Sequence, residues 1–170
     1  FVTCAVDYKN DGFCWGDNDY GQLSNGFEQL TPSLDLSPKN PVSIPMKIQF
    51  DGKILKIALR GDYGQYHGCL IDVLSHIHCW GWNDSGQLGV GDYTNRSTPT
   101  LVDGISGVTD ISLGYFHSCA LNNVGEVYCW GRKFAGMGYY SRHNTPTLVD
   151  GISNVSAIAL GGWHSCALNN

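Results

Sequence analysis

Seven cysteines are the densest reactive chemistry in this chain of 170 residues, and six of them fall into pairs. Cys4 and Cys14, Cys69 and Cys79, and Cys119 and Cys129 each stand ten residues apart, and Trp-Gly follows the second member every time. Turn residues lie between the members. The plainest case is Asn122-Asn123-Val124-Gly125-Glu126, which suits a three-residue hairpin loop with Gly125 in the left-handed region. A loop of odd length sets the two cysteines opposite one another on paired strands, where a disulfide can close. Each such small ring is worth roughly 2 to 3 kcal/mol. Cys166 is left over, with its counterpart expected ten residues further on, past the last residue.

Zinc is the competing chemistry. His67, His117 and His164 each lie two residues before a cysteine and so share its strand face, and His76 and His78 stand close to Cys79. A structural zinc wants four ligands, whereas most repeats offer one His and two Cys, and no Cys-x-x-Cys occurs. Disulfides are therefore favoured over metal and over free buried thiols, and neither metal nor cofactor is expected. Bridges imply an oxidising compartment: secreted, periplasmic or cell-surface.

Catalytic constellations are not evident. His117-Ser118 and His164-Ser165 are neighbours on a strand and point to opposite faces, which argues against a serine-histidine couple, and no nucleophile elbow or phosphate loop is found. No catalytic residue is expected, so the chain reads as a non-enzyme. A net charge of -5 with ten scattered Lys and Arg gives no footprint for a nucleic acid, and no apolar run approaches the length of a membrane span. Asn83, Asn95 and Asn154 stand in Asn-x-Ser tripeptides, which are glycosylation acceptors in a eukaryotic host.

The elements that must position these residues repeat. Cys4, Cys69, Cys119 and Cys166 follow one another at 65, 50 and 47 residues; His-Ser-Cys-Ala-Leu-Asn-Asn occurs at 117 and again at 164; and Thr-Pro-Thr-Leu-Val-Asp-Gly-Ile-Ser occurs at 98 and 145. Within a period the apolar runs are short, as in VYCW and IALGG, and Asp11-Gly12, Asp51-Gly52, Asp103-Gly104 and Asp150-Gly151 read as turn dipeptides. Only 15% of residues are charged and 22 are glycine, which favours turns and strands over solvated helices. A sheet of about four short strands cannot cover both of its faces alone and must stack on copies of itself. The fold class is thus all-β, a partial propeller of about three four-stranded antiparallel blades. Trp15, Trp80 and Trp130 recur at the blade period and belong in the core, while Trp82 and Trp163 break it and are expected nearer the surface.

The phrases G-x-x-H-S-C-A-L and G-x-V-Y-C-W-G around 114 to 131, and W-G-x-N-x-x-G-Q-L-G at 80 to 89, resemble the repeat of the regulator of chromosome condensation family. The resemblance implies a seven-bladed β-propeller, and a structural role for the recurring His, bonding backbone at a blade junction. The first repeat is looser, with Val2 in the place of the His, and the third, WGRKFAGMGYY, lacks the Asn and Gln-Leu of the motif. The chain reads as one domain over 1–170, with repeats at about 4–68, 69–118 and 119–165 and the start of a fourth at 166–170. It is expected to be a piece of a longer propeller, and a self-associating three-blade protomer is the alternative.

Departures from the repeat mark where individual function resides, because loops on a rigid scaffold carry binding. Residues 26 to 46 hold four prolines among Phe27, Leu30, Leu34, Leu36 and Lys39, which reads as an extended loop. A smaller insertion at 59 to 66 contains Arg60-Gly61-Asp62, read as a turn that only coincides with an adhesion tripeptide. The expected function is a non-catalytic protein-binding module, with Phe27, Leu30, Leu34, Leu36, Lys39, Arg60, Asp62 and Trp82 as its contacts. The resemblance also implies two alternatives: nucleotide exchange on a small GTPase, which the founding family member performs, and inhibition of a secreted enzyme, as by propeller inhibitors of β-lactamases.

Overall fold

The structure is a computed structural model and describes residues 2–18, 21–26, 42–62, 65–132 and 142–169. Among these residues the secondary structure consists of thirteen strands, and every pairing is antiparallel. The first sheet holds β1 (Val2–Val6), β2 (Gly12–Gly16) and β3 (Val42–Lys47). The second holds β4 (Ile54–Asp62), β5 (Gln65–Asp72), β6 (Ile77–Gly81) and β7 (Arg96–Leu101), and the third β8 (Val108–Leu113), β9 (His117–Asn122), β10 (Val127–Arg132) and β11 (Arg142–Leu148). Strands β12 (Val155–Leu160) and β13 (Ser165–Asn169) form a two-stranded sheet. Four-stranded antiparallel sheets are thus the unit of the fold. The second, third and fourth sheets each start one strand before the repeated cysteine phrase, so every sequence repeat feeds two sheets and the thirteen strands divide as three, four, four and two.

Each central sheet is apolar on both faces, as stacking requires. In the second sheet, Ile54 of β4, Leu70 of β5 and Trp80 of β6 face the first sheet and join Cys14, Leu23 and Ile48. Cys69, Ile71, Ile77 and Cys79 face the third sheet and meet Val108, Ile111, Ala120 and Trp130. The next layer, around Cys119, Leu121, Val127, Cys129 and Val155, lies between the third sheet and the β12–β13 pair. The first strands β4, β8 and β12 approach one another, which makes this edge the narrow side of each wedge. The last strands, β3, β7 and β11, lie at the opposite edge, and each contains a proline (Pro45, Pro99, Pro146). Proline removes a ladder donor, so it is tolerated at an edge and keeps that edge from recruiting further strands.

Local chemistry explains the Cys-Trp-Gly phrase. Cys4, Cys69 and Cys119 stand directly across from Cys14, Cys79 and Cys129, and each pair is bonded with Cα atoms 4.1 Å apart. The hairpins that align them share one device. The carboxylate or amide oxygen of Asp7, Asp72 or Asn122 accepts backbone N–H groups two and four residues on, and the fourth turn residue (Asn10, Ser75 or Gly125) has positive φ. Trp80 and Trp130 fill the layers between sheets, whereas Trp15, expected in the core with them, is only half-buried. The following Gly81 and Gly131 sit at a bulge with φ of 99° and 98°, where a Cβ would lie 2.5 and 2.3 Å from the carbonyl oxygens of Tyr66 and Phe116.

Three expectations about loops change, the first at Arg60-Gly61-Asp62, read as a turn, which instead continues β4 and pairs with His67, Tyr66 and Gln65 of β5. Residues 42 to 46, read as part of an extended loop, belong to β3, because their backbone pairs with β2. Of the expected turn dipeptides, Gly104 and Gly151 have positive φ, but Gly12 opens β2, where Ile48, Ile54 and Ile57 crowd the place of a Cβ.

Candidate functional site

The sheets are joined by a buried polar seam that recurs from one junction to the next. His67, at the start of β5, places Nε2 3.2 Å from Ser118 Oγ on β9 of the next sheet, and His117 places Nε2 3.0 Å from Ser165 Oγ on β13. Ser118 donates its hydroxyl proton to the Gln87 carbonyl at 2.8 Å, and Trp130 Nε1 donates to the same oxygen at 2.9 Å. Trp80 does likewise with the Gln22 carbonyl at 3.0 Å. Since the single Ser118 proton is spent on that carbonyl, His67 must be the donor through Nε2, which leaves its buried Nδ1 as a bare acceptor. The recurring His therefore bonds a hydroxyl of the neighbouring sheet, not backbone as expected. The serine is unavailable to adjacent histidines because alternate residues face opposite ways, yet it is well placed for the histidine one sheet back.

These Ser and His residues have the composition of a nucleophile and its base but not the disposition. Ser118 is 0% exposed and its proton already has an acceptor. Burial pushes the His67 imidazole down to about 3, with the charges of His117 and Arg60 adding to the effect, and burial followed by Arg60 and His164 lowers His117 to about 4. A base that stays neutral because it is dry, with its own proton pointing at the serine, holds sheets together.

The loop that supplies the carbonyl is built by the repeated Asn. Asn83 Oδ1 accepts Leu88 N–H at 3.0 Å, and its Nδ2 donates to the carbonyls of Asp92 and Thr94 at 3.0 and 3.1 Å, while Asn18 Oδ1 accepts Leu23 N–H at 3.0 Å in the first sheet. This anchors Leu23 and Leu88 in the core and aims the carbonyls of Gln22 and Gln87 at the next tryptophan. It also ranks the glycosylation tripeptides. Asn83 is 0% exposed with its amide fully engaged, whereas Asn154 is exposed in a turn at φ 53°. Secreted from a eukaryotic host, the folded protein is expected to carry a glycan on Asn154, removed by Asn154→Gln, and none on Asn83; a glycan mapped to Asn83 in folded material would refute this.

The ends of β4, β8 and β12 and the starts of β5, β9 and β13 lie on one rim, together with the ends of β6 and β10. Arg60 near the end of β4 and Trp82 just after β6 both lie there. Trp82 is half-buried, and its backbone N–H donates to the Tyr66 carbonyl at 2.8 Å. Asp62 ends β4, and only its backbone lies within the description. Phe27, Leu30, Leu34, Leu36 and Lys39 lie outside the described residues, as does 133–141 of the divergent third loop. Beside Arg60, a cavity of about 260 Å³ runs down between the first and second sheets, walled by Val2, Leu59, Tyr66 and His67.

What sequence reasoning missed on this rim is a ladder of aromatic rings and cations that crosses two junctions. The Arg60 guanidinium lies 4.7 Å above the Tyr115 ring, and Tyr115 meets Trp163 edge-on at 5.4 Å. Phe116 lies 5.1 Å from Trp163, and the Arg132 guanidinium stands 5.7 Å from Phe116. Tyr115 lies flat on Gly162, where a Cβ would be 2.3 Å from its ring. Trp163, anticipated near the surface, is 47% exposed. The signal was present in the chain: an aromatic residue immediately precedes each repeated histidine, in Tyr66-His67, Phe116-His117 and Trp163-His164.

Comparisons with known proteins agree with this architecture. The family profile described as Regulator of chromosome condensation (RCC1) repeat matches residues 76–121 and 124–168. The chain is 31% identical over 105 residues to the probable E3 ubiquitin-protein ligase HERC4 of Rattus norvegicus, an alignment covering 60% of this chain and 8% of that protein. Human WBSCR16 superimposes with a TM-score of 0.78 at 21% identity, covering 99% of this chain and 42% of that one. Prp20p of Saccharomyces cerevisiae, whose structure was described with its binding properties to Gsp1p and histones, gives 0.76 at 19% identity, covering 98% and 41%. The chain thus spans less than half of each of these relatives.

Proposed function

Because the chain belongs to the regulator of chromosome condensation (RCC1) repeat family, we propose that it is a non-catalytic protein-binding scaffold of an oxidising compartment, secreted or displayed on a cell surface, and that it contacts its partner through the loop rim. The observation that carries this reading is the rigidity beneath that rim. Three sheets are each clipped by a disulfide, and the seam that joins them ties histidine, serine and a carbonyl, so the loops project from a support that costs little to order on binding. A protein of this fold that binds Gsp1p and histones supports protein recognition as the use of such a surface. The three disulfides argue for an oxidising location and weigh against the exchange-factor alternative, which calls for a cytosolic or nuclear home. Inhibition of a secreted enzyme is one form that the binding can take.

The 26 to 46 insertion, the largest departure from the repeat, carries the main contact on this reading. Deleting residues 27–41 and rejoining Gly26 to Val42 is expected to reduce retention of the partner on immobilised protein roughly tenfold or more, as loss of a central anchor does, with the melting curve preserved. Equal retention would remove the insertion from the site.

A further inference from the structure

We infer that the ladder formed by Arg60, Tyr115, Phe116, Arg132 and Trp163 is a docking surface for an acidic segment of a partner protein, in which carboxylates flank an apolar side chain. The inference deepens the binding role proposed above and rests on it. Its foundation is charge without a counter-charge. Among the described residues neither Arg60 nor Arg132 has a carboxylate within ion-pair distance, although Arg96 on the same rim is paired with Asp92 at 2.6 Å. Arg60 Nε is buried and meets no acceptor. A desolvated guanidinium donor left in that condition is costly, and a carboxylate arriving from outside relieves the cost with a charge-assisted bond.

The rings explain how the cation is held ready. Stacking on Tyr115 fixes the guanidinium plane while its donors stay free, and Phe116 does the same for Arg132. The two aromatic residues are adjacent in sequence, so the two cations flank one dipeptide, with the exposed Trp163 packed against both rings. A pair of cations around an aromatic platform matches a segment that presents an apolar side chain between acidic ones. Trp, Tyr and Arg are also the residues in which binding energy concentrates. A nucleic acid fits poorly, since two cations on a chain of net charge -5 release few counterions.

The test is a titration of the intact 170-residue chain with acetylated Glu-Glu-Phe-Glu-Glu, followed by NMR at the Arg60 Nε–H and the Trp163 indole N–H. Both signals are expected to shift. Arg60→Gln is expected to weaken binding roughly tenfold, the loss of one charge-assisted hydrogen bond, and Trp163→Ala to weaken it several-fold, with the remaining amide spectrum unchanged. Lys-Lys-Phe-Lys-Lys is expected to leave both signals still. Unmoved signals with the acidic peptide, or equal binding of the basic one, would overturn the inference. So would a dimer in sedimentation that Arg60→Gln dissolves, because the occupant would then be a second copy. If the peptide fails while retention of the partner still depends on residues 27–41, the ladder is wrong and the scaffold reading stands; the reverse outcome isolates the other error.

Discussion

Trp130→Ala is expected to lower the free energy of unfolding by about 4 kcal/mol, the range for deleting a large buried aromatic. The indole is 0% exposed in the layer between the second and third sheets, and Gly89 leaves room for it: a Cβ there would lie 2.7 Å from its Nε1. Two losses combine in the substitution, a cavity between sheets and one of the two donors to the Gln87 carbonyl. Trp130→Phe separates them. Phenylalanine refills most of the volume and leaves the carbonyl with Ser118 alone, so it is expected to recover most of the stability and to fall short by about 1 kcal/mol, the worth of one hydrogen bond. Urea unfolding midpoints of the three proteins give the ordering. An alanine variant within about 1 kcal/mol of the parent would mean that the stacking layer does not hold the sheets.

The second large effect is on acid stability, and its sign follows from which state takes up protons. His67 and His117 titrate at about 3 and about 4 in the folded protein, because burial disfavours the imidazolium, against 6.5 when unfolded. Above about pH 6.5 both states are neutral at these sites and stability is undiminished. Below it the unfolded chain binds protons that the folded chain refuses, so stability falls as pH drops from 6.5 towards 4. The loss is roughly 3 kcal/mol for each imidazole by pH 4. Carboxylates act in a lower window. Burial opposes the shift at Asp72, yet the N–H groups of His76 and Leu74 and the His78 ring hold it below its ordinary value of 3.8, and the Thr94 N–H and Arg96 do the same for Asp92. Unfolding midpoints measured between pH 7.5 and 4 should therefore slope well before any carboxylate titrates. His117→Asn, which keeps a donor for Ser165, should flatten the slope by about half. A midpoint that holds steady down to pH 4.5 would show that the seam imidazoles are not dry.

Much of the architecture was legible because it depends on short-range rules. Cys69 and Cys79 are bonded because a hairpin of odd loop length sets them opposite, and both the loop and the spacing are written in the chain. Trp80 and Trp130 are core residues because a sheet that stacks on both faces needs a large side chain at each layer. Gly125 in the left-handed region follows from the turn it occupies. The contacts expected at Phe27, Leu30, Leu34, Leu36 and Lys39 remain a reading of composition alone.

The chain by itself determined the unit: strand, hairpin, bridge and tryptophan, repeated until stacking hides both faces. These are matters of alternation and turn chemistry within some fifteen residues. Only the tertiary structure decided which units touch. Ser118 answers to His67, 51 residues away, and not to the His117 beside it, because a strand turns neighbours to opposite faces while stacking brings successive sheets face to face. Arg60 meets Tyr115 for the same reason. Partnerships across a junction depend on the angle and spacing of two sheets, quantities that no local pattern encodes.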